Sequence, residues 1–287
     1  MNSPVFVCIL YFNQVQITKE CLQSVLCNQV PPDQVVLIDN GSLLEHHQQI
    51  QNSSPQGIHH LRIEQNQGFT GGFNQALEEV IRLGGREALF LTNDTLLNPG
   101  SFQALLDTPQ RNTCDLLAPL VRPLFNSQLI DSLGGHFSPK TGKLSHYQTI
   151  EERILKENDY VPGTALWLKT KVHQTIRGMD TNYFCYWDDV DYSFRARQEG
   201  FVLATLPSLE LQHHIRKTNR SKPLYTLYYY FRNRLRFIQS HFPQIYPQHL
   251  LQIQQELLAL KQKYANDSQR RLLLEKLFSE INSNAPR

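Results

Sequence analysis

The stretch VVLIDNGS, residues 35–42, sets four β-favouring apolar residues directly before an acid and a turn. A short apolar run bounded by turn chemistry reads as a strand buried on both faces, and Asp39-Asn40-Gly41-Ser42 puts polar groups at its carboxyl end. The same design recurs on either side. Upstream, residues 5–10 read as a buried strand running into Tyr11 and Asn13, and residues 18–29 as a helix with Leu22, Val25 and Leu26 on one face. Downstream come a weaker helix near 43–51, a strand at 58–63 and the segment NQGFTGG at 66–72. A helix from about 73 to 83 closes on Gly84-Gly85, and a strand at 88–91 leads into Thr92-Asn93-Asp94-Thr95. This alternation predicts an α/β fold, a mostly parallel sheet covered by helices on both faces. Ligands of such sheets sit beyond the carboxyl ends of the strands, so Asp39, residues 66–72 and Asn93-Asp94 are expected to converge.

The chain has 287 residues, 40% of them hydrophobic, with 28 basic and 26 acidic side chains. That is enough to bury a real core, and disorder is excluded. The apolar run at 5–10 is too short to span a bilayer and has neither a basic flank nor a cleavage site, so secretion is not expected. Five scattered cysteines, odd in number and without a CxxC pair, suggest neither a disulfide framework nor a zinc site, and fit a reducing, cytoplasmic setting.

Residues 120–160 are less periodic, with GGHFSPKTGKL reading as a hairpin turning near Pro139 and Gly142. Then comes CYWDDVDYSFRARQEG at 185–200, where Asp188, Asp189 and Asp191 crowd together. Two readings stay open. Asp188 as N-cap, Asp189 and Asp191 in the first turn, Arg195 four residues after Asp191 and a terminating Gly200 describe an ordinary helix. The third acid adds like-charge repulsion that a helix start does not need, which suggests an active site. From residue 211 to 255 there is no Asp or Glu, while Arg216, Lys217, Arg220, Lys222, Arg232, Arg234 and Arg236 alternate with tyrosines. This run reads as a solvated amphipathic helix or as a surface that docks on anionic lipid, with each basic residue worth about 1 kcal/mol near the headgroups. Nucleic-acid binding is disfavoured: no module is recognisable and the net charge is only +2. Amphipathic helices at about 248–263 and 267–282 finish the chain.

Dinucleotide, P-loop and α/β-hydrolase fingerprints (GxGxxG after the first strand, GxxxxGK[ST], GxSxG) do not occur. The sheet edge instead gathers carboxylates and amides, groups that suit a hard divalent cation, a diphosphate and ribose hydroxyls.

At this point the chain resembles the family 2 inverting glycosyltransferases with the GT-A fold, in their bacterial rhamnosyltransferase-like branch that builds surface polysaccharides. The resemblance runs from residue 5 to about 243. It rests on Tyr11 and Asn13, LIDNGS at 37–42, NQGFTGGFNQAL at 66–77, TNDT at 92–95, PGTALWL at 162–168, WDDVDYSFRARQEGF at 187–201 and His213-His214, in that order. It implies a Rossmann-like GT-A domain over residues 1–222, with the basic, aromatic and amphipathic helices of 223–287 packed on it. It also implies donor contacts from Tyr11, Asn13, Asp39 (base or ribose), Asn66, Gly68, Asn93 and Arg216, the last meeting phosphate charge beside Lys217. Asp94 matches the last acid of the DxD-type motif that holds Mg2+ or Mn2+, with His213 or His214 as a further ligand. Thr92 and Asn93 stand where the strict pattern has another carboxylate, so affinity for the cation without donor is expected to be poor. Asp189, flanked by Asp188 and Asp191, matches the general base that deprotonates the acceptor hydroxyl in a single in-line displacement. The expected partners are a nucleoside diphosphate sugar and a glycan or polyprenyl-diphosphate-linked acceptor, at the inner face of the cytoplasmic membrane. Branch resemblance points to rhamnose, and UDP-sugars stay open. A sugar-1-phosphate nucleotidyltransferase would want a glycine-rich, arginine-bearing loop where YFNQVQITKE stands; a non-catalytic sugar-nucleotide-binding scaffold is the other alternative.

Overall fold

Each residue of the first strand points to the opposite face from its neighbour, so a run buried throughout implies cover on both sides. The computed structural model, which describes residues 4–214 and 224–283, shows that arrangement. Val5, Val7 and Ile9 of β1 (Val5–Tyr11) face Cys21, Leu22 and Val25 of α1 (Val15–Cys27), while Phe6, Cys8 and Leu10 pack in a second core with Phe73, Ala76, Leu77 and Val80. Those last four belong to α3 (Gly68–Arg82), which follows β2 (Val35–Asn40), α2 (Leu44–Ser53) and β3 (His59–Ile63). The helix starts five residues before the predicted Phe73, because its first turn is the glycine-rich GFTGG itself.

Next come β4 (Glu87–Thr92), β5 (Thr95–Leu97), α4 (Ser101–Asp107), α5 (Gln110–Thr113) and β6 (Leu116–Pro123). The predicted hairpin is β7 (Gly135–Ser138) and β8 (Lys143–His146), and β7 pairs antiparallel with β9 (Asp159–Tyr160). Then follow β10 (Ala165–Lys169), α6 (Thr170–Ile176), α7 (Asp188–Gln198) and β11 (Leu203–His213). The main sheet has eight strands in the order β3-β2-β1-β4-β10-β6-β11-β5, mostly parallel, with β10 and β5 antiparallel to their neighbours. The α/β class and the mostly parallel sheet flanked by helices are thus as expected.

The described chain forms two compact units. The larger holds residues 4–136, 145–184 and 188–214; the smaller holds 137–144, 185–187 and 224–283. In the smaller, α8 (Leu224–His241), α9 (Tyr246–Lys263) and α10 (Ser268–Ser283) pack on one another. Phe137, Trp187 and Phe237 form its aromatic centre. Arg234 is fully buried there, paired with Glu256 at 2.9 Å, so this arginine of the basic run is turned away from water. No described helix is long and apolar enough to cross a membrane.

Candidate active site

The carboxyl ends of β1, β2 and β3 hold one polar cluster. Asp39 is fully buried; Arg62 Nη1 donates to its Oδ2 at 2.8 Å, the Ser42 N–H donates to Oδ1 at 2.8 Å, and His47 Nδ1 lies 3.0 Å from Oδ2. Arg62 is the in-register partner of Asp39 on the next strand. The Tyr11 hydroxyl meets His47 Nδ1 at 3.2 Å, and burial together with the Asp39 charge pushes its pKa up, so it stays neutral. Asn13, held at φ 62°, accepts the Leu43 N–H on its side-chain oxygen and gives its own N–H to Ser42 Oγ, fastening the end of β1 to that of β2.

The loop before α3 locks onto the same corner. The Asn40 side chain donates to the carbonyl of Gly68 and accepts from the Gln67 N–H, while Asn66 Oδ1 accepts from the Gly68 N–H. Gly68 has φ 73°, and a Cβ there would lie 2.3 Å from the Phe184 carbonyl, which accepts the Thr70 N–H. Only glycine allows that approach.

Beyond β4, Asn93 donates its side-chain amide to Thr18 Oγ1 at 2.8 Å. Asp94 Oδ2 lies 3.3 Å from His213 Nε2, and His213 Nδ1 lies 2.8 Å from Asp131 Oδ2. The His214 ring turns toward Glu20, 3.5 Å away, while its backbone N–H donates to the Asp94 carbonyl. Burial opposes charge on both members of the closer pair, yet their interaction outweighs it. His213 is raised to about 9 by Asp131 and Asp94, and Asp94 is held below the usual carboxylate range by His213.

Among the described residues no three His, Cys, Asp or Glu side chains form a metal cage. The corner nevertheless suits a divalent cation that keeps waters and diphosphate oxygens. Asp94 Oδ1 is buried with no hydrogen-bond partner, and ligands at about 2.1 Å occupying adjacent octahedral positions stand roughly 3.0 Å apart, close to the Asp94–His213 separation.

The acidic segment opens α7, with Asp188 its first residue. Asp188 and Asp191 are buried, whereas Asp189 is half-buried. Asp191 is committed to Arg195, whose Nε donates to it at 2.7 Å and whose other nitrogens donate to the Ile176 and Gly178 carbonyls. Asp189 accepts the Gly163 N–H on Oδ2 and the Val190 N–H on Oδ1, both at 2.9 Å. Burial lifts the pKa of Asp188 well above the usual range, with the Asp189 charge next in importance, and burial also lifts Asp189. Thr164, the neighbour of Gly163, accepts the Thr92 N–H on its carbonyl, so the strand end two residues before Asp94 is bonded to the residue that follows Gly163, whose N–H seats Asp189. The segment before α7 is bent through three left-handed non-glycine residues, Phe184 (62°), Tyr186 (66°) and Trp187 (69°). Within the smaller unit, Asn233 Nδ2 donates to the Cys185 and Tyr186 carbonyls at 2.8 and 2.9 Å.

The structure thus brings Tyr11, Asn13, Asp39, Asn66 and Gly68 into one corner, His213 to Asp94, and Gly163 to Asp189. Arg216 and Lys217 lie outside the described residues. Arg62 and His47 went unforeseen, although a basic residue at the end of the neighbouring strand was legible. Gly163 lies in PGTALWL, where nothing in the sequence marks its N–H as a partner of Asp189, and Asp131 sits in an aperiodic stretch that offers no signal.

Residues 6–176 match the model of the family described as glycosyl transferase family 2. A low-salt glycan biosynthesis hexosyltransferase, Agl10, of Haloferax volcanii is 24% identical over 212 residues, 69% of this chain and 65% of that protein. An N-acetylglucosaminyl-diphospho-decaprenol L-rhamnosyltransferase of Mycobacterium tuberculosis is 24% identical over 208 residues, 64% of this chain and 67% of that protein. The chain therefore matches only about two thirds of the length of these relatives. Among solved structures, the mannosyltransferase PcManGT of Pyrobaculum calidifontis with GDP-Man and Mn2+ superposes with TM-score 0.58 at 13% identity, covering 100% of this chain and 77% of that one. GalNAc-T7 with UDP, GalNAc and Mn2+ gives TM-score 0.60 at 13% identity, covering 99% and 56%. Both share its fold.

Proposed function

The chain belongs to glycosyl transferase family 2, and from that membership we propose that it is an inverting, cation-assisted enzyme. It moves a sugar from a nucleoside diphosphate sugar to a hydroxyl of a glycan or lipid-linked acceptor. The observation that supports this reading most is the seating of Asp189. Of the three crowded acids it alone is not fully buried, and two backbone N–H groups fix its orientation.

Asp189 takes the proton of the acceptor hydroxyl as that oxygen attacks the anomeric carbon. The bond to the diphosphate breaks on the opposite face, its electron pair leaves with the nucleoside diphosphate, and the centre inverts. A carboxylate whose pKa is lifted toward neutrality is the better base, and general-base help of this kind is worth roughly 10²–10⁴-fold. Asp188, whose pKa burial raises well above the usual carboxylate range, lies beside it, while Asp191 holds Arg195 and through it the carbonyls of Ile176 and Gly178. Asp94 and His213 would hold Mg2+ or Mn2+, which neutralises the diphosphate leaving group when bound. Asp39 holds Arg62 and His47 where the base and ribose would lie; Tyr11, Asn13, Asn66 and Gly68 shape the same donor corner, Asn93 adds a donor contact beside Asp94, and Arg216 would meet phosphate charge.

The mycobacterial relative is named for rhamnosyl transfer to a decaprenyl-diphosphate-linked sugar. A rhamnose donor and a polyprenyl-diphosphate-linked acceptor of surface polysaccharide synthesis are accordingly our first choices here. The acid-free basic run at 211–255 suits docking on the anionic inner face of the membrane. A thermal-shift panel of dTDP-, UDP- and GDP-sugars, with Mn2+, Mg2+ or a chelator, tests the reading, since ligand binding to the folded state raises stability. One nucleotide sugar should stabilise the protein and do so more with the cation; no shift with any of them would refute it.

A further inference from the structure

Asp131 belongs to none of the motifs that mark the site, yet it reaches into the cation corner. We propose that Asp131 is the positioning residue of the cation site: it fixes the His213 ring so that Nε2 is the nitrogen presented to the ion beside Asp94. The inference rests on the reading of Asp94 and His213 as cation-facing.

A carboxylate can only accept, so the 2.8 Å contact with Asp131 Oδ2 requires a proton on His213 Nδ1. The ring then has one orientation left, with Nε2 toward Asp94 Oδ2, 3.3 Å away. A carboxylate behind a metal-binding histidine sets its tautomer and direction and raises its basicity.

The backbone around Asp131 is built to hold this contact. The Asp131 N–H donates to the Val121 carbonyl at 2.8 Å, and the Val121 N–H donates to the Ser132 carbonyl at 2.8 Å. The loop is thereby stapled to β6, the strand that pairs with β11 as far as His213. The Leu124 N–H gives a further bond to the His213 carbonyl. On its other side β11 pairs with β5, His213 opposite Thr95, the residue after Asp94. Asp131, His213 and Asp94 therefore come from three adjoining strands or their immediate extensions, each tied by backbone bonds. Asp131 side-chain exposure is 27%, so the group is anchored without being sealed from the ligand edge.

The test is Mn2+ binding to the purified full chain, with free ion read by electron paramagnetic resonance, in D131N, D131E, H213A, D94A and D131N/H213A. D131N should weaken Mn2+ binding by about 10–100-fold. D131E, which keeps the carboxylate, should recover most of it, and D131N should cost nothing further in the H213A background. Wild-type Mn2+ affinity in D131N with weakened binding in H213A overturns the role of Asp131 and leaves the cation site standing. An equal loss from D131N with and without His213 means that Asp131 acts on the ion directly, which also overturns the proposal. Unchanged binding in both H213A and D94A removes the cation site itself. Circular dichroism of each variant separates a lost fold, which D131E bypasses, from a lost contact.

Discussion

Replacing Asp189 by Asn changes one proton acceptor and little else, and its two consequences have different sizes. Both Asp189 oxygens accept a backbone N–H, from Gly163 and from Val190. Asn offers one oxygen and one NH2 group, so whichever way it faces one of those donors loses its partner, a cost of about 1–3 kcal/mol. Removal of a carboxylate whose charge burial disfavours offsets part of that cost. A net change of about 1–2 kcal/mol leaves a domain of ordinary stability folded. The transfer step, by contrast, should slow by roughly 10²–10⁴-fold, or about 3–5 kcal/mol at 1.36 kcal/mol per decade. Single-turnover transfer with saturating donor measures the second effect, and calorimetric donor binding with Mn2+ should show a Kd within about twofold of wild type. In wild type the single-turnover rate should fall on the acid side with a midpoint above the ordinary carboxylate value of about 4, because the base must be ionised and burial raises its pKa. The mutant should lack that limb. A rate within threefold of wild type, or a loss matched by equal loss of donor affinity, refutes the assignment of Asp189 as base.

Asp94→Ala should abolish transfer and make donor binding indifferent to Mn2+; tighter binding with the ion than with a chelator would show that Asp94 does not hold it. His213 is raised from 6.5 to about 9, so its stabilising charge is present in full below about pH 6.5 and lost as the pH climbs through 9. Without divalent ion, urea unfolding should therefore show about 2–3 kcal/mol less stability at pH 9.5 than at pH 6 from this group, and H213Q should remove that difference; an equal slope in H213Q contradicts it. In Gly163→Ala the new Cβ would stand 2.9 Å from the Phe69 ring. Repacking should cost about 1–3 kcal/mol and displace the N–H that seats Asp189, so transfer should slow while donor affinity holds; an unimpaired rate disproves the seating role. The basic run should give binding to anionic vesicles that weakens as salt shortens the screening length to about 10 Å at 0.1 M, and equal partition onto neutral vesicles speaks against docking by charge.

The parallel part of the sheet was legible because β1, β2 and β4 are buried on both faces and so carry unbroken apolar runs. The start of α3 was not. Its glycines are poor helix formers by propensity, but Gly68 must admit the Phe184 carbonyl, and a Cβ on Gly72 would strike Leu10 at 2.4 Å. Tertiary packing overrode the local signal. Asp189 was singled out by its motif, and the ring of His213, not that of His214, faces Asp94. Arg62 and Asp131 are brought in by register and by a loop staple, contacts 23 and 82 residues apart in sequence, and no short-range pattern encodes them.

The bend through Phe184, Tyr186 and Trp187 sets a rule for recombining this chain with its relatives. Left-handed non-glycine residues cost of order 1–3 kcal/mol each and persist only where their surroundings enforce them. One enforcing group, Asn233, comes from α8, far downstream of the family-matched residues 6–176. A crossover anywhere between 198 and 224 would give the bend to one parent and its clamp to the other, leaving the carbonyls of Cys185 and Tyr186 without the amide that holds them. Crossovers just after 176 hand both to the same parent, so productive chimeras should cluster there even though that junction cuts closer to the acids of α7.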